Sequence, residues 1–299
     1  MATFVRGPVR VTVPATSANL GPGFDSLGLA LALRDEVQAE VIDSGLEVTV
    51  QGCGAEDVPR DESHLVVRAM RVAFTAMGAE PPGLALSCRN VIPHARGMGS
   101  SSSAIVAGLV VARALVAGGG LLLDDETLLG LASDLEGHPD NVAPALKGGF
   151  TISGRDADGW YAVRAAVDPR VTTVAFIPAS GVPTTVARGL LPDAVSHEQA
   201  ATNSGRAALL VAALAGRPEC LLTATEDRLH QQYREPAMPG SLALLRELRV
   251  GGVPAVVSGA GPTVLALTDA CSVEGLLERC PTGWQALHLE VDQQGARVE

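Results

Sequence analysis

A single lysine, Lys147, stands among the 22 basic residues, so the positive charge of this chain is almost entirely arginine. The lysine that must follow the glycine of a Walker A loop is missing from every glycine-rich segment, which excludes P-loop nucleotide chemistry. Positive charge as a whole is scarce: 33 acids leave a net charge of -11 at pH 7. That balance excludes the basic face a nucleic acid or an anionic membrane requires. The five cysteines, Cys53, Cys88, Cys220, Cys271 and Cys280, include no Cys-x-x-Cys pair, so neither a zinc knuckle nor a disulfide scaffold is present. The opening Met1-Ala2-Thr3-Phe4-Val5-Arg6 lacks a signal-peptide stretch, and no glycine-free apolar run is long enough to span a bilayer. The cytoplasm is therefore the expected compartment. What remains is a chain of 299 residues, 47% hydrophobic and 18% charged, able to bury a substantial core as one large domain or two lobes.

The stretch around which the rest is arranged runs Pro93-His94-Ala95-Arg96-Gly97-Met98-Gly99-Ser100-Ser101-Ser102-Ser103. It follows a strand-like run from Leu84 to Ile92 and precedes a run from Ala104 to Ala117 that is apolar on nearly every side, as in a buried helix. Strand, glycine loop and helix start together aim free N–H groups and a positive dipole end at one spot. Two glycines permit close backbone approach, and the serines supply hydroxyls for phosphate oxygens or a metal. The alternative is a serine-rich helix cap after an ordinary turn.

Upstream, Val9 to Val13 alternates as a half-buried strand and leads into a turn-rich loop, Pro14 to Asp25, in which Asn19 and Asp25 hold either their own backbone or a ligand. Leu65 to Met77 reads as an amphipathic helix stopped by Gly78. Gly118-Gly119-Gly120 closes the buried helix, and Asp124-Asp125-Glu126 opens the next. Glu136-Gly137-His138-Pro139-Asp140-Asn141 then packs two acids, a histidine and an asparagine into six residues, which packing alone does not explain. Beyond the lobe boundary expected at Gly154 to Gly159, Val171 to Ile177 is a strand. Thr184 and Arg188 lie one turn apart on a short helix. Asn203-Ser204-Gly205-Arg206 opens a helix running to Leu214, Asp227 to Arg234 carries His230 and Arg234, and Val256 to Leu267 is strand, glycine turn, strand.

Three of these segments in order, Pro14-Ala-Thr-Ser-Ala-Asn-Leu-Gly-Pro-Gly-Phe-Asp25, Pro93-x-x-x-Gly-Met-Gly-Ser-Ser101 and Ser258-Gly-Ala-Gly-Pro-Thr263, resemble the three motifs of the GHMP kinases. Thr16 to Asp25 and Glu136-Gly-His-Pro-Asp-Asn-Val-Ala-Pro144 resemble the homoserine kinases within that superfamily. The likeness covers nearly the whole chain. Met98 stands where leucine is usual, and Ser102 and Ser103 where alanines are common.

The resemblance implies an α+β fold: a ribosomal-protein-S5-like lobe over residues 1–155, a ferredoxin-like lobe over 156–299, and ATP in the cleft between them. It implies transfer of the ATP γ-phosphoryl group to the hydroxyl of L-homoserine, with residues 93–103, Gly259 and Gly261 around the nucleotide. Asn19 and Asp25 would hold the amino acid, with Asp25 on its ammonium. Arg188 and Arg234 would clamp its carboxylate beside Thr184, and His138, Asp140 and Asn141 would line the pocket at the reacting hydroxyl. Ser101 would ligate Mg²⁺. Its acidic partner would be Glu136, or else Asp134, since Gly130 occupies the position that carries the acid in some homoserine kinases. A homodimer is the expected assembly by the same analogy. The rival readings are a mevalonate-type small-molecule kinase, in which Asp25 would be unpaired, and a non-catalytic sensor of the same fold.

Overall fold

The structure is a computed structural model and describes residues 2–299. Its first sheet begins with β1 (Val9–Ala18), which is antiparallel to the long β2 (Leu27–Ile42). Strand β3 (Gly45–Gly52) runs parallel to β4 (Gly83–Asn90), and β4 also pairs with the second half of β2. The intervening helix α1 (Leu65–Ala76) turns Val66, Val67, Met70 and Phe74 into the core.

From β4 the chain passes through the glycine loop into α2 (Ser100–Leu115). As its sequence requires, α2 is buried on nearly every side, between α1 and the sheet. A short turn of helix, α3 (Gly119–Leu122), holds the glycine cluster that was expected to end α2. The buried helix instead ends at Leu115, where Val116 turns extended. Helix α4 (Asp125–Glu136) starts on an Asp124 side chain that accepts the Thr127 N–H at 2.8 Å, and stops at Gly137 in the left-handed region. Helix α5 (Pro139–Lys147) follows, with Pro139 at its first position, where a missing N–H costs nothing.

Strands β5 (Phe150–Arg155) and β6 (Trp160–Ala165) complete the first sheet as a hairpin, with β5 also on the first half of β2. Two sequence readings change here. Gly154 and Arg155 end β5 and residues 156–159 turn this hairpin, so the passage to the second lobe falls between Ala165 and Thr172, because the Phe150↔Ala165 ladder keeps β6 in the first sheet. Likewise Pro14 to Ala18 is not loop but the continuation of β1, carried past a register shift between Pro14 and Ala15, and the turn begins only at Asn19.

The second sheet is antiparallel in the order β10 (Trp284–Leu289), β7 (Thr172–Pro178), β9 (Val264–Thr268), β8 (Ala255–Val257). Between β7 and β8 lie α6 (Thr184–Arg188), α7 (His197–Gly216), α8 (Leu221–Ala224) and α9 (Pro239–Val250), and α10 (Val273–Leu277) precedes β10. Helix α7 starts well before Asn203, because a capping box, Ser196 with Gln199, fixes its first turn. The chain then returns to the first sheet, where β11 (Arg297–Val298) pairs with β1.

Two sheets with helices packed on them give the mixed α+β architecture that was expected. No helix of the described residues is long and apolar enough to cross a membrane.

Candidate active site

The glycine loop sits where β4, α2 and the second lobe meet. Gly99 caps α2 at φ +71°, and a Cβ there would lie 1.9 Å from the Thr16 hydroxyl. Glycine is therefore required twice over, by backbone conformation and by room. The loop is braced from behind by the turn between β8 and β9. Ser258 donates to the Gly97 carbonyl at 2.6 Å and lies 2.8 Å from the Ser17 hydroxyl. A Cβ on Gly97 would meet the Ser258 carbonyl at 2.2 Å.

In front of the loop opens a polar cavity of about 410 Å³ between the lobes. Gly97, Met98, Gly99, Ser100 and Ser101 form one wall, and Ala95 and Gly259 also border it. Glu136, His138, Asp140 and Asn141 face it from the end of α4 and the start of α5. Asn19, Thr184, Arg188 and Arg234 close the far side. Residues separated by more than 200 positions thus meet in one space.

Ser101 and Ser102 both donate to Glu136, at 3.0 and 2.7 Å. This carboxylate and the Ser101 hydroxyl are hard oxygen donors at the mouth of a helix, a set that suits Mg²⁺. Asp134 points elsewhere, accepting the Trp160 indole N–H at 2.8 Å on the side of β6.

His138 Nδ1 meets the Asp140 carboxylate at 2.5 Å. Burial pulls the imidazole pKa down, but the Asp140 contact and the charges of Asp140 and Glu136 more than offset it, so the net direction is up. Asp140 is 1% exposed, which makes this histidine its natural counter-charge. Asn141 accepts from Thr16 at 2.8 Å through its carbonyl, which leaves its NH₂ for a ligand.

On the far side Arg188 is bonded to Asp25 by two contacts of 2.7 and 3.1 Å, and Asp25 itself does not border the cavity. Arg234 is almost fully buried, donates to the Gly259 carbonyl at 2.8 Å and leaves its Nε without a partner. Burial and the nearby Arg188 bring its pKa down to about 10. Both guanidinium groups stand over the Phe24 ring, at 5.6 and 5.8 Å. Phe24 in turn lies against the fully buried His230, which donates to the Gly21 carbonyl at 2.8 Å. Asn19 is occupied by its own loop: its amide donates to the Gly259 carbonyl and accepts the Asp25 N–H, both at 2.9 Å.

Several sequence candidates do not reach this cavity. Ser102 is tied to Glu136, and Ser103 donates to the Pro14 carbonyl at 2.8 Å in the core. Gly261 packs behind Gly97 against Met238 and Val257. The Arg96 guanidinium donates to the carbonyls of His94 and Ala179 and so ties the loop to the second lobe. These residues support the loop from outside because one face of a glycine-rich turn must pack while the other stays open. Pro93 is absent from the cavity wall, and His94 faces a second space.

That second space is an apolar cavity of about 250 Å³ reached past Leu65, Ser100 and Ser101, which border both. Val37, Val58, Val66 and Ala107 line it, with Asp35, His64, Asn90 and His94 among its polar groups. Sequence reasoning missed it, since its walls come from four elements and two loops and no local motif marks them. It also missed Arg68, which borders the polar cavity from α1.

The pattern of the GHMP kinases N terminal domain matches residues 64–149. A homoserine kinase of Streptomyces coelicolor is 56% identical over 295 residues, covering 99% of this chain and 96% of that one. A homoserine kinase of Clavibacter michiganensis is 50% identical over 297 residues. Among solved structures, a homoserine kinase from Cytophaga hutchinsonii aligns with a TM-score of 0.86 at 26% identity over 99% of both chains. An L. major mevalonate kinase shares the fold, with a TM-score of 0.69 at 16% identity over 98% of this chain.

Proposed function

The chain belongs to the homoserine kinases of the GHMP superfamily, and from that membership we propose how its cleft transfers the γ-phosphoryl group of ATP to the hydroxyl of L-homoserine. The observation that carries the reading is the sharing of one cavity by two kinds of group. A helix-mouth glycine loop faces it from one side, and two arginines stand on the other, Arg188 backed by the Asp25 carboxylate just outside the wall. A polyanion suits the first and an amino-acid zwitterion the second.

The triphosphate lies along residues 97–101, against the N–H groups at the start of α2, and the adenine enters the apolar cavity beyond Ser100. Arg188 and Arg234 take the homoserine carboxylate, and Asp25 its ammonium. Asn19 acts by holding the Gly259 carbonyl and the Asp25 backbone in place. Thr184 and the Asn141 NH₂ flank the substrate hydroxyl.

The hydroxyl oxygen attacks the γ phosphorus as the bond to the bridging oxygen breaks, giving O-phospho-L-homoserine and ADP. A loose transition state puts little charge on the nucleophile, so orientation matters more than a strong base. His138, kept protonated to higher pH by Asp140, supplies positive charge beside the reacting oxygens. Ser101 and Glu136 would hold Mg²⁺, which neutralises phosphate charge when bound. A homodimer, by family analogy, acting in the cytoplasm completes the proposal.

A coupled ADP-release assay tests it. Homoserine should be phosphorylated, and mevalonate, galactose and shikimate should not. Arg188→Leu and Arg234→Leu should each raise the homoserine KM at least about ten-fold with the ATP KM within about three-fold, since a carboxylate clamp acts on one substrate. Equal damage to both KM values would refute the assignment.

A further inference from the structure

Three arginines border the polar cavity, and two are already engaged: Arg188 with Asp25, and Arg234 with the Gly259 carbonyl. The third, Arg68, has no ion-pair or hydrogen-bond partner for its guanidinium among the described residues, whereas its helix neighbour Arg71 is paired with Glu62 at 2.8 Å. Arg68 stands one turn after Leu65 on α1. Leu65, Ser100 and Ser101 border both cavities, while Arg68 borders only the polar one. It therefore stands on the phosphate side of the junction and not on the base side.

The charge balance there asks for a cation. The phosphate side carries Glu136 and Asp140, the glycine loop has no lysine, and a nucleoside triphosphate adds roughly three to four negative charges of its own. The helix mouth offers only about half a charge.

We propose that Arg68 is a phosphate-binding residue for the known reaction, closing on the terminal phosphates of the bound nucleotide across from Ser101. The proposal rests on the placement of the triphosphate given above. Its position is held by tight packing: α1 lies so close on α2 that a Cβ on Gly108 would meet the Val66 carbonyl at 2.5 Å. A long, exposed side chain on a fixed backbone can swing onto a polyanion without moving its helix.

The test is calorimetric titration of ATP and AMP, without homoserine, into wild type, Arg68→Gln and Arg68→Lys. Arg68→Gln should weaken ATP at least five-fold, leave AMP within two-fold and flatten the salt dependence of ATP binding; Arg68→Lys should restore most of the loss. The homoserine KM should stay within two-fold. ATP affinity within two-fold of wild type in Arg68→Gln overturns the proposal, and so does an equal loss for ATP and AMP, which would mark a structural role. Wild type that fails to bind ATP at all would instead sink the placement of the triphosphate.

Discussion

Asp35 is a buried carboxylate at the end of the apolar cavity, and one of its oxygens accepts the N–H groups of Val91 (2.6 Å) and Ile92 (2.9 Å) just before the glycine loop. Burial outweighs those two bonds and pushes its pKa up to about 6, against an ordinary value of about 4. A raised acid pKa means that the folded state holds its proton more tightly than the unfolded one. Stability from this group is thus complete in acid and is lost as pH climbs from about 4 through 6, by up to about 3 kcal/mol. Asparagine can accept the same two amides without the buried charge. Asp35→Asn should gain on wild type as pH rises from 4 to 7, measured by urea unfolding at each pH; a gap that does not change with pH would refute the account. His138 runs the other way. Its raised pKa stabilises at low pH and is lost as pH rises through the folded value, so Asp140→Asn should lower the imidazole pKa seen by NMR.

Among the elements, the contact of α1 with α2 decides how the two cavities are divided, because α1 brings Leu65 and Arg68 to their junction. Gly108 in mid-α2 makes that contact possible, with the Val66 carbonyl and the Ala69 methyl 2.5 and 2.7 Å from where its Cβ would stand. By helix propensity alone Gly108→Ala would stabilise by roughly 1 kcal/mol. Overpacking predicts the reverse, a loss of about 1–3 kcal/mol with weaker nucleotide binding. The sign of the shift in the denaturation midpoint separates the two. The element pattern was largely legible beforehand: the glycine loop, the buried helix after it and the strand–turn–strand of residues 256–267 are local, and local sequence specifies them. The Asp25–Arg188 pair, 163 residues apart, was not. Sequence reading gave the two side chains different ligand groups, and only the fold shows that they reach each other. Arg68 was illegible for the same reason, lying on an amphipathic helix with an ordinary exposed arginine pattern.

At the scale of the molecule the two lobes are not independent units in sequence. The chain crosses to the second sheet after Ala165 and comes back at the end, where Val291 bridges Leu31 and β11 lies along β1. Arg34 on β2 is held there by Asp292 and the Gly295 carbonyl, and Asp292 is 5% exposed. Deleting residues 290–299 would leave Arg34 short of its partners and uncover the edge of the first sheet. Loss of buried charge-assisted bonds of this kind costs about 2 kcal/mol or more. Hydrogen exchange should therefore accelerate at Thr12 in β1, whose N–H faces β11, far from the cut in sequence; acceleration confined to the second sheet would contradict this. The hairpin at residues 150–165 shows why the lobe boundary was misplaced: a polar, glycine-flanked turn looks the same from sequence whether it joins two strands or two lobes.

Because Asp25 and Arg188 neutralise one another, that pair is its own internal salt. An incoming zwitterion swaps counter-ions there as on an ion-exchange bead, and the tally of charges stays the same. Sodium chloride screens the old pairing and the new ones alike, so the grip on homoserine should barely change with ionic strength, whereas the grip on the nucleotide should slacken.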